Sequence, residues 1–377
     1  FIDNHHVKIQ KSNEENKTIY AENIIIATGS KPRTIPNIAV DEKIIMTSDG
    51  VDHMKSFPKS MVIVGAGVIG CEYATIFSNF GKTKVYLIDR SDRILPFEDS
   101  DISDMISKNL KEKGVTIHNK AQLERLEVKD GEVEYELSYK DGKKEIIRVE
   151  KALLSVGRKL CIDGLKMENA GVTLSKRGVH IGDINTQTNI SNIYVVGDAS
   201  GHISLVNVGE LEGRYAVERM FSKKYYPLNY KNICTIMFLQ PEVASVGINE
   251  KTCIEENIPV KVVKLDYSCI ARAIAMRKTE GFFKIIVTDD KKMKILGMRA
   301  VGEHASSAIQ GVGLLMKMDR NIHELAEMVH PHPSIIEGIQ ECVRMLLNKS
   351  IFKASIFKDK LSCYRRIGEY VEDLQRL

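Results

Sequence analysis

The sequence predicts an α/β protein in which a Rossmann-like nucleotide domain precedes an α+β domain. Three observations predict it. A glycine run, Gly65-Ala66-Gly67-Val68-Ile69-Gly70, stands between an apolar strand and an apolar helix. From Val115 polar and apolar residues alternate around two Asp-Gly pairs. From about Tyr225, strand-like runs alternate with two apolar-faced helices. At 377 residues, two or three domains are expected.

Ile24–Ala27 reads as a short apolar strand, followed at once by Thr28-Gly29-Ser30. Alone this is any strand ending in a turn. The next block is more specific. Met61–Val64 is a strand, Gly65, Gly67 and Gly70 form G-x-G-x-x-G, a helix follows, and "KVYLIDR" gives a second strand ending at Asp89. Gly65 permits the tight turn, Gly67 lets a pyrophosphate approach the backbone, and Gly70 lets helix and strand pack closely. Phosphate charge meets the free N–H groups at the helix start, where Val68 and Ile69 lie. Asp89 stands where a carboxylate binds ribose hydroxyls, which points to NAD, because a 2′-phosphate would meet its negative charge. Arg90 and Arg93 either soften that preference or are solvated surface residues.

The alternating stretch 125–158 reads as an antiparallel meander with hairpin turns at Asp130-Gly131 and Asp141-Gly142, ending in a strand that runs into Gly157-Arg158. Tyr194–Val196 is a strand followed by Gly197-Asp198, and a helix is expected from about Leu205 through Met220. Asp198 either accepts hydrogen bonds from a ribityl or ribose chain or caps a helix. "PEVASVGI", "VKVVKLDY", "GFFKIIVTDD" and "MKILGMRAVG" read as antiparallel strands, and "ASSAIQGVGLLMKMD" and "PSIIEGIQECVRMLLNK" as apolar-faced helices. Their apolar surface exceeds what a small monomeric domain needs, so a subunit interface is expected. Residues 351–377 are set apart as a C-terminal tail, basic and then amphipathic.

His330-Pro331-His332-Pro333 is followed by Glu337, five positions after His332. If a helix starts near Ser334, the carboxylate lies in its first turn and faces back to the imidazole. A carboxylate on one ring nitrogen fixes the tautomer and stabilises the cation, as a general base requires. His330 is given no role beyond shaping the loop.

Composition narrows the partners. Lys and Arg number 54 against 50 Asp and Glu, a net charge of +4 that argues for neither nucleic acid nor an anionic membrane. No apolar run reaches a membrane span, no signal peptide is visible, and a cytoplasmic location is expected. The seven cysteines are scattered, with no C-x-x-C or C-x-x-x-x-C, which reads as reduced thiols without a disulfide framework or metal site.

The ordered set ATG (27–29), GAGVIG (65–70), VGR (156–158), VGD (196–198), PEVASVG (241–247) and HPHPSIIE (330–337) resembles the flavin-dependent pyridine-nucleotide disulfide reductases, and within them is most similar to the dihydrolipoamide dehydrogenases. The resemblance covers nearly everything up to about Phe352. It implies FAD and NAD as cofactors and a homodimer. It implies an NAD domain at 46–155 beside an incomplete FAD domain at 1–45 and 156–224, with an α+β dimerisation domain at 225–350. It places Thr28, Gly29, Gly157, Gly197 and Asp198 at the flavin, Asp198 on its ribityl chain, and Glu72 near the nicotinamide. It makes His332 the acid/base, held by Glu337, and the two work across the dimer interface.

Two family features are missing from these residues: a first G-x-G-x-x-G for the ADP half of FAD, and a redox cysteine pair. An upstream segment carrying both is expected, since the chain starts at Phe1 without Met. Asn207 also stands where dihydrolipoamide dehydrogenases often have His. The expected activity is oxidation of dihydrolipoamide, free or on a lipoyl carrier protein, with NAD, this chain alone being inactive. The alternatives are a soluble transhydrogenase-like flavoprotein and a truncated, non-catalytic nucleotide-binding dimer.

Overall fold

The computed structural model describes residues 1–10, 16–175, 178–179, 185–222, 226–352, 357 and 359–374. The chain divides into two compact units, Phe1–Arg33 with Gly157–Asn229 and Thr34–Val156 with Tyr230–Leu377.

The larger unit is built on two main sheets, with a smaller three-stranded one packed on the first. The first is parallel, in the order Ile45–Met46, Lys151–Leu154, Ser60–Val64, Lys84–Ile88, Thr116–His118. Its central strands read as unbroken apolar runs because both faces are covered. Met61, Ile63, Val85 and Leu87 pack with Ala74 and Phe77 of the helix Val68–Asn79 and with Ile102, Ile106 and Leu110 of the helix Ser100–Glu112. Val62, Val64 and Ile88 point the other way, onto Leu126, Val133, Tyr135 and Leu137 of an antiparallel meander. That meander is Ala121–Lys129, Glu132–Tyr139 and Lys144–Val149. Asp130 and Gly131, both at positive φ, make the first of its turns.

The second sheet has seven strands in antiparallel order: Thr235–Met237, Val243–Gly247, Ile295–Val301, Phe282–Thr288, Val260–Asp266, Leu361–Ile367, Tyr370–Asp373. Val263, Leu265, Phe283, Ile285 and Met298 form a core with Ile309 and Val312 of the helix Ala305–Lys317 and Ile339, Cys342 and Val343 of the helix Glu337–Leu346. Val243, Phe282 and Val301 join the core of the parallel sheet instead.

Two expectations are corrected here. The stretch set apart as a tail, 351–377, supplies two strands of this sheet. Leu361 and Cys363 turn inward, while Arg365 pairs with Asp289 at 2.8 Å and Arg366 with Glu250 at 2.6 Å. Arg365 and Arg366, which in the sequence read as part of a solvated tail, are therefore ion-paired. Secondly, the apolar side of Glu337–Leu346 is not surplus for a subunit contact; Ile339, Cys342, Val343 and Met345 are buried in the chain's own core. Apolar side chains do remain exposed at Leu314, Met318, Met328 and Val329.

A buried charge cluster joins the two sheets. The Lys284 ammonium, 2% exposed, lies 2.7 Å from Asp101, 3.1 Å from Asp99 and 3.1 Å from Glu250. Arg299 meets Glu98 at 3.0 Å, and Tyr364 donates to Glu250 at 2.6 Å. Burial opposes the charge on Lys284, but the carboxylates outweigh it and hold the amine protonated above its ordinary range. Burial likewise works against ionised Asp101, yet Lys284 and Lys264 hold that carboxyl below its usual range.

The smaller unit is thinner. Ile24–Ile26 pairs in parallel with Ile193–Val195, Ser30–Pro32 pairs with Arg158–Leu160, and His6–Ile9 pairs antiparallel with Lys17–Tyr20. Ile26, Met167, Val172, Ile193, Val195 and Ala199 form its core. The helix Val206–Phe221 follows a short 3₁₀ turn, Gly197–Ser200. Among the described residues no helix is long and apolar enough to cross a membrane.

Removing one partner of a buried ion cluster strands the others. Lys284→Met is expected to lower unfolding stability by about 3–5 kcal/mol in urea denaturation at pH 7. A loss below about 1 kcal/mol would show the cluster to be dispensable. Because Asp101 is depressed in the folded state, its contribution is present above the unfolded pKa of about 3.9 and is lost as pH falls through the lower folded value.

Candidate functional site

The glycine run forms the turn between the strand Ser60–Val64 and the helix Val68–Asn79. Gly65 sits at φ +102°, and a Cβ there would lie 2.6 Å from the Ser155 carbonyl oxygen. A Cβ at Gly70 would lie 1.9 Å from the Gly65 carbonyl oxygen. A side chain at Gly70 would force the helix away from the strand, and one at Gly65 would collide with the Ser155 backbone. A Cβ at Gly67 would meet no protein atom within 4 Å, so the chain's own packing does not require that glycine. Gly67 caps the helix without a side-chain hydrogen bond, and Val68 and Ile69 open its first turn, which contains no acid. This positive helix end beside an open glycine backbone fits an anionic pyrophosphate.

Asp89 follows the second strand. Its Oδ2 accepts from Ala66 N at 2.7 Å and its Oδ1 from Ser91 N at 2.8 Å. The carboxylate thus holds the glycine turn as well as standing beside it. Leu95 N donates to the Ala66 carbonyl at 2.9 Å, so Ala66 is held on both sides. Arg90 is exposed and Arg93 pairs with Asp92 at 3.7 Å, which suits solvated surface positions. Glu72, on the helix, accepts from Phe238 N at 2.9 Å, within the stretch "MFLQ" that precedes PEVASVG.

In the smaller unit three quoted motifs converge. Thr28 is exposed just beyond the strand Ile24–Ile26; Gly29, at φ +69°, accepts from Cys161 N at 2.9 Å. Gly157 accepts from Arg33 N at 2.9 Å, and Gly197 N donates to Glu212 at 2.6 Å. Asp198 lies inside the 3₁₀ turn and caps no helix; the helix Val206–Phe221 starts after Leu205. Its Oδ2 accepts from the Ser30 hydroxyl, and Arg158 Nε lies 3.7 Å from the same oxygen. Arg158 also donates to Ser30 Oγ at 2.7 Å. Ser30 and Arg158 are site residues that the motif reading passes over, although each is next to or inside a quoted motif. With both contacts on one oxygen, Asp198 keeps a second carboxylate oxygen for a hydroxyl chain, which fits a ribityl group.

His332 and Glu337 form the remaining pair. His332 Nδ1 stands 2.7 Å from Glu337 Oε1, and Ser334 N donates to Glu337 Oε2 at 2.9 Å. The imidazole side chain is 73% exposed and the glutamate 27%. Partial burial opposes ionisation of Glu337, but the Ser334 N–H and His332 outweigh it and hold the carboxyl below its usual range. Glu337 is the first residue of its helix. The next, Gly338, lies so close to the sheet that a Cβ would fall 2.6 Å from Ile270 and 2.8 Å from the Phe283 ring. That close seat fixes the helix start and with it the carboxylate. His330 is buried and reaches the Leu325 carbonyl at 3.4 Å, a position suited to shaping the loop.

All seven cysteines are free. Burial raises the thiols of Cys253 and Cys363 to about 11 and pushes Cys71 and Cys342 up further. None of these four is a ready nucleophile at neutral pH. Among the described residues no three His, Cys, Asp or Glu side chains group to hold a metal ion.

Residues 1–213 match the pyridine nucleotide-disulphide oxidoreductase family, and residues 233–343 match the dimerisation domain of the same family. The chain belongs to that family of flavoprotein enzymes, which use FAD and NAD(H). It is 34% identical over 351 residues to a dihydrolipoyl dehydrogenase of Bacillus subtilis, covering 92% of this chain and 73% of the relative. To the dihydrolipoyl dehydrogenase of Chlamydia trachomatis it is 33% identical, covering 86% of this chain and 68% of the relative. Among solved structures it is similar to the HOCl-induced flavoprotein disulfide reductase RclA from Escherichia coli, with a TM-score of 0.82 and 27% identity. That match covers 92% of this chain and 78% of the other.

Gly338→Ala tests how the carboxylate is positioned. Overpacking of this kind costs about 1–3 kcal/mol, read as a lowered Tm. Because the helix start must shift, a crystal structure of the variant should show the His332–Glu337 contact lengthened. An unchanged contact at unchanged Tm would contradict the close seat.

Proposed function

We propose that the chain acts as an NAD- and FAD-dependent dithiol dehydrogenase, a cytoplasmic homodimer acting on dihydrolipoamide, free or carried on a lipoyl protein. Residues 1–45 and 156–224 serve FAD, 46–155 serve NAD, and 225–350, extended by the strands of 361–373, serve the interface. The observation that carries this reading is the His332–Glu337 pair, an exposed imidazole with one ring nitrogen 2.7 Å from a carboxylate.

FAD and NAD, when bound, supply hydride transfer between flavin and nicotinamide. This chain's residues supply binding and proton handling. Glu337 accepts from His332 Nδ1–H, leaving Nε2 as the basic nitrogen. Nε2 takes the proton of a substrate thiol, and the resulting thiolate attacks one sulfur of a disulfide, forming a mixed disulfide as the original S–S bond breaks and the other sulfur leaves as a thiolate. That disulfide does not come from a close pair within these 377 residues, since no two cysteines stand in C-x-x-C or C-x-x-x-x-C spacing. The helix start at Gly67–Gly70 receives the NAD pyrophosphate, Asp89 the adenosine ribose, and Glu72 lies towards the nicotinamide. Asp198, with Ser30 and Arg158 fixing its carboxylate, receives the flavin's ribityl chain.

The second reading is a transhydrogenase-like flavoprotein that exchanges hydride between nucleotides without thiol chemistry. A base held by a carboxylate has no thiol to deprotonate in that reaction, which ranks it second.

In the assembled enzyme, His332→Gln should cut the dithiol half-reaction by about 100- to 10,000-fold and leave NADH reduction of the flavin intact. Equal loss of both half-reactions in stopped-flow traces would make His332 structural. Nucleotide titration gives a separate check. NADH should bind more tightly than NADPH, and Asp89→Ser should narrow the gap. Tighter NADPH binding by the unmodified chain would contradict the assignment of Asp89.

A further inference from the structure

We propose that Ser155 is a positioning residue for the dinucleotide, holding the glycine turn in the shape that receives the pyrophosphate. The proposal rests on the NAD reading of that turn. Ser155 follows the strand Lys151–Leu154, and its N–H donates to the Val64 carbonyl at 2.9 Å, continuing the parallel pairing at the point where the neighbouring strand becomes the turn. Its hydroxyl lies 2.8 Å from the Gly65 carbonyl oxygen and 2.9 Å from that of Val64. One hydroxyl proton is therefore shared between two carbonyls.

The same side chain touches the far wall of the turn. A Cβ at Gly70 would lie 2.7 Å from Ser155 Oγ, and a Cβ at Gly65 would lie 2.6 Å from the Ser155 carbonyl oxygen. Ser155 is thus packed under both the first and the last glycine. An anion at a helix start is attracted by N–H groups and repelled by carbonyl oxygens. Tying the Val64 and Gly65 carbonyls to Ser155 keeps them from turning towards the phosphates. Asp89, on Ala66 N, holds the turn from the second strand. Ser155 holds it from the third, and the side chain itself has no need to touch the nucleotide.

The test is titration calorimetry of the full chain with NADH and with ADP-ribose, alongside thermal unfolding. Ser155→Ala removes the donor and leaves the turn uncrowded. It should weaken both ligands equally, by about fivefold, the worth of about one hydrogen bond. Ser155→Cys, a weak donor of similar shape, should fall between the two. Thr83→Val is the control, because Thr83 donates a buried hydroxyl to the Pro58 carbonyl at 2.7 Å, before the second strand begins. It loses a bond of the same kind and should leave both affinities within about twofold while lowering Tm. Unchanged affinity in Ser155→Ala, or equal weakening in Thr83→Val, would overturn the proposal. Failure of the unmodified chain to bind NADH at all would overturn the NAD reading and this proposal with it.

Discussion

The contact on which most of the larger unit depends is the close approach of Gly70 to the Gly65 carbonyl. The helix Val68–Asn79 can start directly over the end of its strand only because nothing projects from Gly70. Parallel pairing brings the ends of the strands Ser60–Val64, Lys84–Ile88 and Lys151–Leu154 to a common edge beneath that turn. Their last residues and successors, Asp89 and Ser155, then reach the turn with hydrogen bonds of 2.7–2.9 Å. The crevice beyond the carboxyl ends of parallel strands is where α/β sheets bind ligands. Here its floor is three glycines and the side chains that tie them down.

The turn is also tied to the antiparallel sheet. Ala66 O accepts from Leu95 N, and three to six residues further on Glu98, Asp99 and Asp101 enter the buried cluster with Lys284 and Arg299. Buried ion clusters of this kind contribute little net stability but are costly to break. Their value here is geometric. The segment that anchors the nucleotide turn is held to the sheet whose helices carry Glu337.

Much of this was legible in the sequence, and the physical reason differs by element. The glycine motif is local: strand, turn and helix lie within about twenty residues, so type and order are read directly. His332 and Glu337 are five residues apart, and one helix start suffices to join them. The Lys284 cluster was not legible, because its partners lie up to 185 residues away and each looks like an ordinary surface charge in isolation. The strand Leu361–Ile367 is not legible for the same reason: its arginines read as solvated until Asp289 and Glu250 are placed opposite them. Ser30 and Ser155 were missed because a hydroxyl's role depends on which carbonyl or carboxylate the fold brings within reach. The apolar face of Glu337–Leu346 was legible as a face, but periodicity does not say whether the chain's own sheet or a second subunit covers it.

The most direct measurement of the central assignment is hydrogen exchange of the chain with and without NADH. The N–H groups at the start of the helix Val68–Asn79 lack intrahelical partners and exchange readily unless an anion binds them. Slower exchange confined to the peptide spanning 65–72, and reproduced by ADP-ribose, is the expected result. Saturation with NADH that leaves exchange in that peptide unchanged would contradict the placement of the dinucleotide on this turn.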